Sequence, residues 1–475
     1  MKKETSLFRT VVQSCLLPGL LLAAGCGGGR SDGDGESAEP VPEPVADAEV
    51  DLNETPADAR PEDARTDDAT VDVPADDDAD QVETRPFTFY SLNHVLSTGQ
   101  SLSVGSAGSP PLSTTQPYHN KMFNTGVLAG SDNLTHFLPL VEAGVETMSS
   151  GMANLVTSQA REEVFPDLPP PQDSHDVLVS CHGVGGTAYA GLKKGTAPFA
   201  SGMAQVEAAA SICDFLGLTY VVRAVTSVHG ESDHVGGNTH YAQDLVEWQA
   251  DYENDVMALT GQLEPVPMLH TQMSSWTKYG QSTSLIPGAQ LQASIENPGK
   301  IVLVGPKYFL AYAADGVHLS NAGYLHMGEV YAKVYDHVIL RGETWEPLWP
   351  ILATIDGTVI TVTFHVPVPP LVFDTTLVTD PGDYGFEFWD DGASVPAISS
   401  VEIDGTDRVV VTLASPPSGT TPRIRYAWTG TAGALAGPTS GPRGNLRDSD
   451  ETESLAGNSL YNWAVHFDIE ASVPE

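Results

Sequence analysis

From residue 86 to about 345, short β-branched runs alternate with segments of helical spacing, and after Trp345 the helical spacing stops. No other feature restricts the possible folds as much. The runs at 94–98, 176–181, 218–225, 266–271 and 300–304 read as strands. Between them, 199–216, 241–259, 285–295 and 321–340 read as helices; in the second, Leu245, Trp248, Tyr252, Val256 and Leu259 recur at helical spacing. Residues 102–175 are loop-rich, with one or two helical stretches expected around 138–159. Strands separated by helices imply a mainly parallel sheet covered on both faces, an α/β domain over 86–345. Beyond it, runs at 351–366, 371–378, 384–389, 397–403, 408–413, 423–428 and 463–469 are separated by Gly, Pro and Asp turns. That pattern predicts an all-β sandwich domain over 346–475.

In open parallel sheets, ligands bind outside the carboxyl ends of the strands. Four polar clusters fall at such ends: Ser101 in Gly99-Gln100-Ser101, the Gly183–Thr187 stretch, His229-Gly230-Glu231-Ser232-Asp233, and Asp315-Gly316-Val317-His318. Each motif alone is weak. An Asp-x-x-His is expected about once by chance in a chain of this composition, and Gly-Gln-Ser occurs again at 280–282. Position decides between the two copies, because Ser282 lies well past its strand in a polar loop.

The residue types suit one chemistry. A serine hydroxyl becomes a nucleophile when an imidazole takes its proton, and the imidazolium then needs an anion to hold its tautomer and charge. Asp315 and His318, on one loop, can present adjacent side chains to a distant Ser101. The plainer readings are a helix N-cap for Ser101 and a turn residue for Asp315; neither explains why all four clusters meet at one sheet edge.

These four blocks, in this order, resemble those of the SGNH (GDSL-like) hydrolases. They are most similar to the carbohydrate-esterase branch containing sialate O-acetylesterases and acetylxylan esterases, and Asp315 to Tyr324 is the most specific stretch. The resemblance spans roughly residues 93–335. It implies a flavodoxin-like three-layer αβα fold, with Ser101 as nucleophile, His318 as base and Asp315 as orienter. It also implies an oxyanion hole built from the Ser101 amide and the Gly186 amide, ahead of Gly185. The family's Gln-Gly-Glu stands here as His229-Gly230-Glu231, so His229 is expected as a third donor and Glu231 as an orienter of the loop or of His229. The implied activity is removal of acyl groups, acetyl foremost, from carbohydrates, with no cofactor and no metal.

Two other readings compete. His182, His229, His234, His240 and His270 invite a zinc hydrolase, but no His-Glu-x-x-His is present. A non-catalytic glycan-binding or adhesive lipoprotein would keep the same fold without the chemistry. Trp345, Trp349 and Trp389 offer rings for sugar stacking if exposed.

The N-terminus reads as an export signal. Lys2, Lys3 and Arg9 precede a broken apolar stretch at 11–24 that is too short for a span of about 20 residues. Leu22-Ala23-Ala24-Gly25-Cys26 resembles the lipobox of bacterial lipoproteins, which implies a signal over 1–25 and lipid attachment at Cys26. Residues 30–85 carry 20 Asp and Glu against 4 Arg, so 26–85 is expected as a disordered acidic tether reaching on the order of 40 Å. The expected location is a bacterial outer membrane or cell surface, with the membrane contacted through the lipid only. Residues 86–475 carry −26 of the total charge of −40, which argues against nucleic acid as a partner. Cys181 and Cys213 are placed at opposite ends of a strand–helix pair and are expected as free, buried thiols.

Overall fold

The computed structural model describes residues 87–168 and 174–473. Cys26, the export signal and the acidic tether lie outside the described residues. Strand β1 (Leu92–Gly99) is buried along its whole length. It pairs in parallel with β4 (Val177–Cys181) on one side and β5 (Tyr220–Val228) on the other. β6 (Met268–Thr271) and β7 (Ile301–Gly305) continue the parallel sheet. Two short strands, β2 (Lys121–Phe123) and β3 (Phe137–Pro139), extend it past β4, the last antiparallel. The full order is β3-β2-β4-β1-β5-β6-β7. Counting the five long parallel strands alone gives 2-1-3-4-5, the flavodoxin-like doubly wound order.

β1, β4, β6 and β7 are buried at every position, as strands covered on both faces are. Val95 of β1 packs in one core with Met152 and Val156 of α1 (Met148–Gln159) and Met327 and Tyr331 of α6 (Asn321–Tyr335). Its neighbour Leu96 faces the opposite core. There it meets Val206 of α2 (Ala197–Leu216), Trp248 and Tyr252 of α4 (Tyr241–Thr260) and Ala293 of α5 (Ile286–Glu296). Helices therefore cover both faces, giving three layers.

The differences from the expected elements are local. Only Met148–Gln159 of the 138–159 stretch is helical, and its first residues instead pair as β3. The last helix widens into a π-turn over Asp336–Leu340. A six-residue helix, α3 (Glu231–Gly236), begins inside the third polar block and is too short to show a period.

After Trp345 all strand pairing is antiparallel apart from isolated bridges. β8 (Trp349–Asp356) and β9 (Val359–His365) form a hairpin, and β12 (Ile398–Asp404) and β13 (Arg408–Leu413) complete a sheet of order β12-β13-β9-β8. β11 (Phe386–Trp389), β14 (Arg423–Tyr426) and β16 (Phe467–Glu470) make a second sheet, and β10 (Val372–Phe373) pairs with β15 (Leu446–Arg447). The run at 371–378 shortens to two residues because the Asp374 carboxylate accepts the Thr376 and Leu377 amides and turns the chain. Ile360, Val362, Val411, Ile424 and Phe467 meet in one core.

No linker separates the parallel sheet from these antiparallel sheets, and the described residues all belong to one compact unit. Tyr308, from the loop after β7, is fully buried in the C-terminal core, and its hydroxyl donates to the Ala464 carbonyl at 2.7 Å. Gln272 exchanges a pair of hydrogen bonds with the His466 backbone. Cys181 and Cys213 are both buried and unpaired.

Candidate active site

The site starts from a close approach of two strand ends. Gly99 closes β1 at φ +126°, and a Cβ there would stand 2.4 Å from the Val228 carbonyl oxygen at the end of β5. Only glycine fits that crossing. The chain then turns, with Ser103 donating back to the Gln100 carbonyl and Ser106 to that of Ser101. Ser101 Oγ caps no helix; its partner is His318 Nε2 at 2.7 Å.

His318 and Asp315 sit on a tight hairpin whose base is the bridge between Tyr312 and Leu319. Inside it, Ala313 donates to the His318 carbonyl and Gly316 to the Ala313 carbonyl. One Asp315 oxygen stands 2.6 Å from His318 Nδ1, and the other accepts the Val317 and His318 amides at 2.9 and 3.0 Å. Partial burial would raise the Asp315 carboxyl, but the His318 ring and these two amides outweigh it and hold it below its ordinary value. A carboxylate only accepts, so Nδ1 carries the proton and the Nε2 lone pair faces the Ser101 hydroxyl.

Three amides of the first two polar blocks, the N–H groups of Ser101, Gly185 and Gly186, have no protein partner among the described residues. Gly185 packs against Ser101, where a Cβ would lie 3.7 Å from Ser101 Cβ, whereas Gly186, at φ +67°, faces open space. The glycine packed against Ser101 is thus Gly185, which the sequence reading ranked second.

His229 requires a correction. Its ring is buried, with Nδ1 2.7 Å from the Tyr241 hydroxyl and Nε2 3.0 Å from the Thr187 carbonyl oxygen. Burial pushes its pKa below the ordinary value, with Asp233 opposing. A neutral imidazole has one N–H, and a carbonyl can only accept, so the proton is on Nε2 and donates to Thr187. The ring has no donor left for an oxyanion. What it holds is the residue after Gly185-Gly186.

Glu231 is also buried, but it holds the Gln100–Ser101 turn rather than His229. Its carboxylate accepts from Gln100 Nε2 at 2.7 Å and from the Ser275 hydroxyl at 3.1 Å, while Gln100 Oε1 accepts the Ser232 amide. The residue preceding Ser101 is thereby fixed at both ends of its amide. Lys307 was not singled out from the sequence. It is fully buried with its ammonium 3.6 Å from Glu231, and burial lowers its pKa against the pull of that carboxylate. The available signal was a lysine directly after β7, in the Gly305-Pro306-Lys307 turn.

The other histidines are dispersed. His182 bonds to the Tyr252 hydroxyl and His234 to that of Ser284, and the ring nitrogens of His270 have no hydrogen-bond partner among the described residues. Trp345 donates to the Leu303 carbonyl and Trp349 to Glu346, and Arg425 lies 5.0 Å over the Trp389 ring. A cavity of about 740 Å³ lies at the strand starts, lined by Thr88, Arg223, Pro267 and Lys300, and contains none of the four blocks.

No family model matches the sequence, and no curated protein matches it. Among solved structures, a carbohydrate acetylesterase from Xanthomonas citri aligns over 79% of this chain and 80% of its own, at 14% identity and a TM-score of 0.51. A protein from Arabidopsis thaliana aligns over 52% of this chain and 98% of its own, at 16% identity and a TM-score of 0.39. A family 3 carbohydrate esterase from Clostridium thermocellum aligns over 53% and 98%, at 14% identity and a TM-score of 0.26. With its doubly wound sheet and the blocks at its carboxyl edge, the chain shares the fold of the Xanthomonas citri carbohydrate acetylesterase.

Proposed function

We propose that the protein is a serine esterase that removes acyl groups, acetyl foremost, from carbohydrates. One observation carries the reading: the unbroken chain from Ser101 Oγ through His318 to Asp315, at 2.7 and 2.6 Å, with the amides of Ser101, Gly185 and Gly186 unengaged among the described residues. Ser101 Oγ attacks the ester carbonyl carbon as its proton passes to His318 Nε2. The developing oxyanion is met by the amides of Ser101 and of Gly185 or Gly186. His318 then protonates the departing sugar oxygen, leaving an acyl-enzyme. Water attacks this ester with His318 as base, acetate leaves, and Ser101 regains its proton. Asp315 stays ionised and stabilises the imidazolium.

The carbohydrate part of the reading rests on the SGNH resemblance of the four blocks. We read the C-terminal antiparallel sheets as a sandwich packed against the hydrolase layer. We read Cys26 as the lipidated N-terminus of an exported protein, with residues 26–85 as its tether from a bacterial outer membrane or cell surface.

Purified protein is expected to hydrolyse a small aryl acetate and to release acetate from acetylated glycans. Ser101→Ala should lower turnover by at least about a thousandfold. Turnover unchanged in Ser101→Ala would sink the mechanism. Equal inactivity of both proteins would favour the glycan-binding lipoprotein instead.

A further inference from the structure

The connection between β14 and β15 leaves the C-terminal sheets and lies against the catalytic hairpin. Residues 430–437 make four backbone-directed hydrogen bonds to the other side. Gly430 donates to the Ser282 carbonyl at 2.8 Å and Gly433 to the Thr277 carbonyl at 2.6 Å, while the Thr277 hydroxyl donates to the Ala434 carbonyl at 2.9 Å. The fourth reaches the acid–base loop itself, where Ala436 donates to the Gly316 carbonyl at 3.1 Å.

Gly316 lies between Asp315 and His318 at φ +66°, and Leu435 covers it. A Cβ on Gly316 would stand 2.4 Å from Leu435 Cβ and 2.7 Å from its Cα. At the base of the same hairpin, the Tyr312 ring lies against Gly437, where a Cβ would be 3.5 Å away. The hairpin that carries two of the three catalytic side chains is thus gripped at its tip and at its base by one segment, over one hundred residues distant in sequence.

We propose that segment 430–437 is a positioning arm of the active site and that Leu435 is the residue that sets the Asp315–His318 pair against Ser101. This rests on the esterase reading above. The hairpin's internal hydrogen bonds hold Asp315 to His318 but do not anchor the pair to the rest of the fold, and both side chains stay partly open, Asp315 44% and His318 23% exposed. The Ala436 amide on the Gly316 carbonyl and the Leu435 side chain against Gly316 restrict the tip. Displacing a catalytic group by about 1 Å can cost on the order of a hundredfold in rate, so a small loss of support reads out in kcat. Leu435 is itself 38% exposed, so shortening it removes little buried surface.

The test uses the full chain, assayed on an aryl acetate and by the rate at which a fluorophosphonate labels Ser101. In labelling, Ser101 Oγ forms the P–O bond, fluoride leaves as the P–F bond breaks, and the hydroxyl proton passes to His318. The rate therefore reads the triad without any sugar contact. Leu435→Ala is expected to lower kcat and the labelling rate about tenfold or more, with KM within about twofold. Leu435→Met should restore most of the rate, and Thr277→Val, which frees Ala434, should lower both rates about threefold. Labelling of Leu435→Ala and Thr277→Val at the wild-type rate overturns the arm and leaves the esterase intact. A rise in KM with kcat unchanged also overturns it. Wild-type protein that is neither labelled nor active overturns the esterase reading and the arm with it.

Discussion

Asp315 and His318 are three residues apart, and their own backbone brings them together: the carboxylate accepts two amides of the same turn and the imidazole of its fourth residue. Such a unit forms wherever the turn forms, so the pairing follows from spacing. His229 shows the opposite case. Whether an imidazole donates to an oxyanion or to a carbonyl depends on which groups its two nitrogens meet, and Tyr241 and Thr187 meet both. This predicts a graded response. His229→Gln should keep at least about a third of kcat, because a carboxamide can donate to Thr187 and accept from Tyr241. His229→Leu, which removes both hydrogen bonds and leaves the Tyr241 hydroxyl and the Thr187 carbonyl without them, should lower kcat about tenfold. A loss of a hundredfold or more in His229→Leu, the size seen when an oxyanion donor is removed, would restore the donor role.

At the scale of elements, the site depends on where strands end and on which segments pack beside them. β1 and β5 converge so closely that Gly99 admits no side chain, and this crossing presents Gln100 and Ser101 to Glu231 and His318. α6, which follows the Asp315–His318 hairpin, is tied to the C-terminal segment by a buried ion pair. Lys333 stands 2.8 Å from Asp450 and also donates to Asn462 and to the Leu460 carbonyl. Burial lowers its pKa, and Asp450 opposes that shift. Replacing Lys333 by Met removes one charge and leaves the other buried without its partner. Lys333→Met is expected to destabilise the fold by about 3 kcal/mol or more, read as a lower denaturant midpoint. An unchanged midpoint would mean that Asp450 is solvated in solution.

The whole molecule carries a set of buried histidines whose titration couples stability to pH. Burial lowers His94, His270 and His466 to about 3, and His182 to about 4. Their folded values lie below the ordinary value of about 6.5, so below that pH the unfolded chain binds protons that the folded chain refuses. Stability contributed by keeping them neutral is present above pH 6.5 and is lost as pH falls towards 4 to 3. Each such group steepens the loss by about 1.4 kcal/mol per pH unit within that window. Scanning calorimetry should therefore find Tm falling steeply between pH 6.5 and 4.5, with proton uptake on unfolding. A Tm independent of pH over that range would show the histidines to be already protonated or exposed.

The amino-acid sequence alone determined the alternation of strand and helix, the change to antiparallel strands after Trp345, and the arrival of four polar blocks at one sheet edge. These follow from side-chain periodicity and strand order, which are written locally. It also favoured Ser101 over Ser282, because Ser101 directly follows the end of β1 whereas Ser282 lies about ten residues past the end of β6. The tertiary structure decided the rest. The direction of the His229 ring, the burial of Lys307 against Glu231, the nearness of Gly185 to Ser101 and the placement of residues 430–437 on Gly316 join groups remote in the chain. No period or spacing encodes such contacts, since each depends on the register and packing of elements that meet only once the chain has folded.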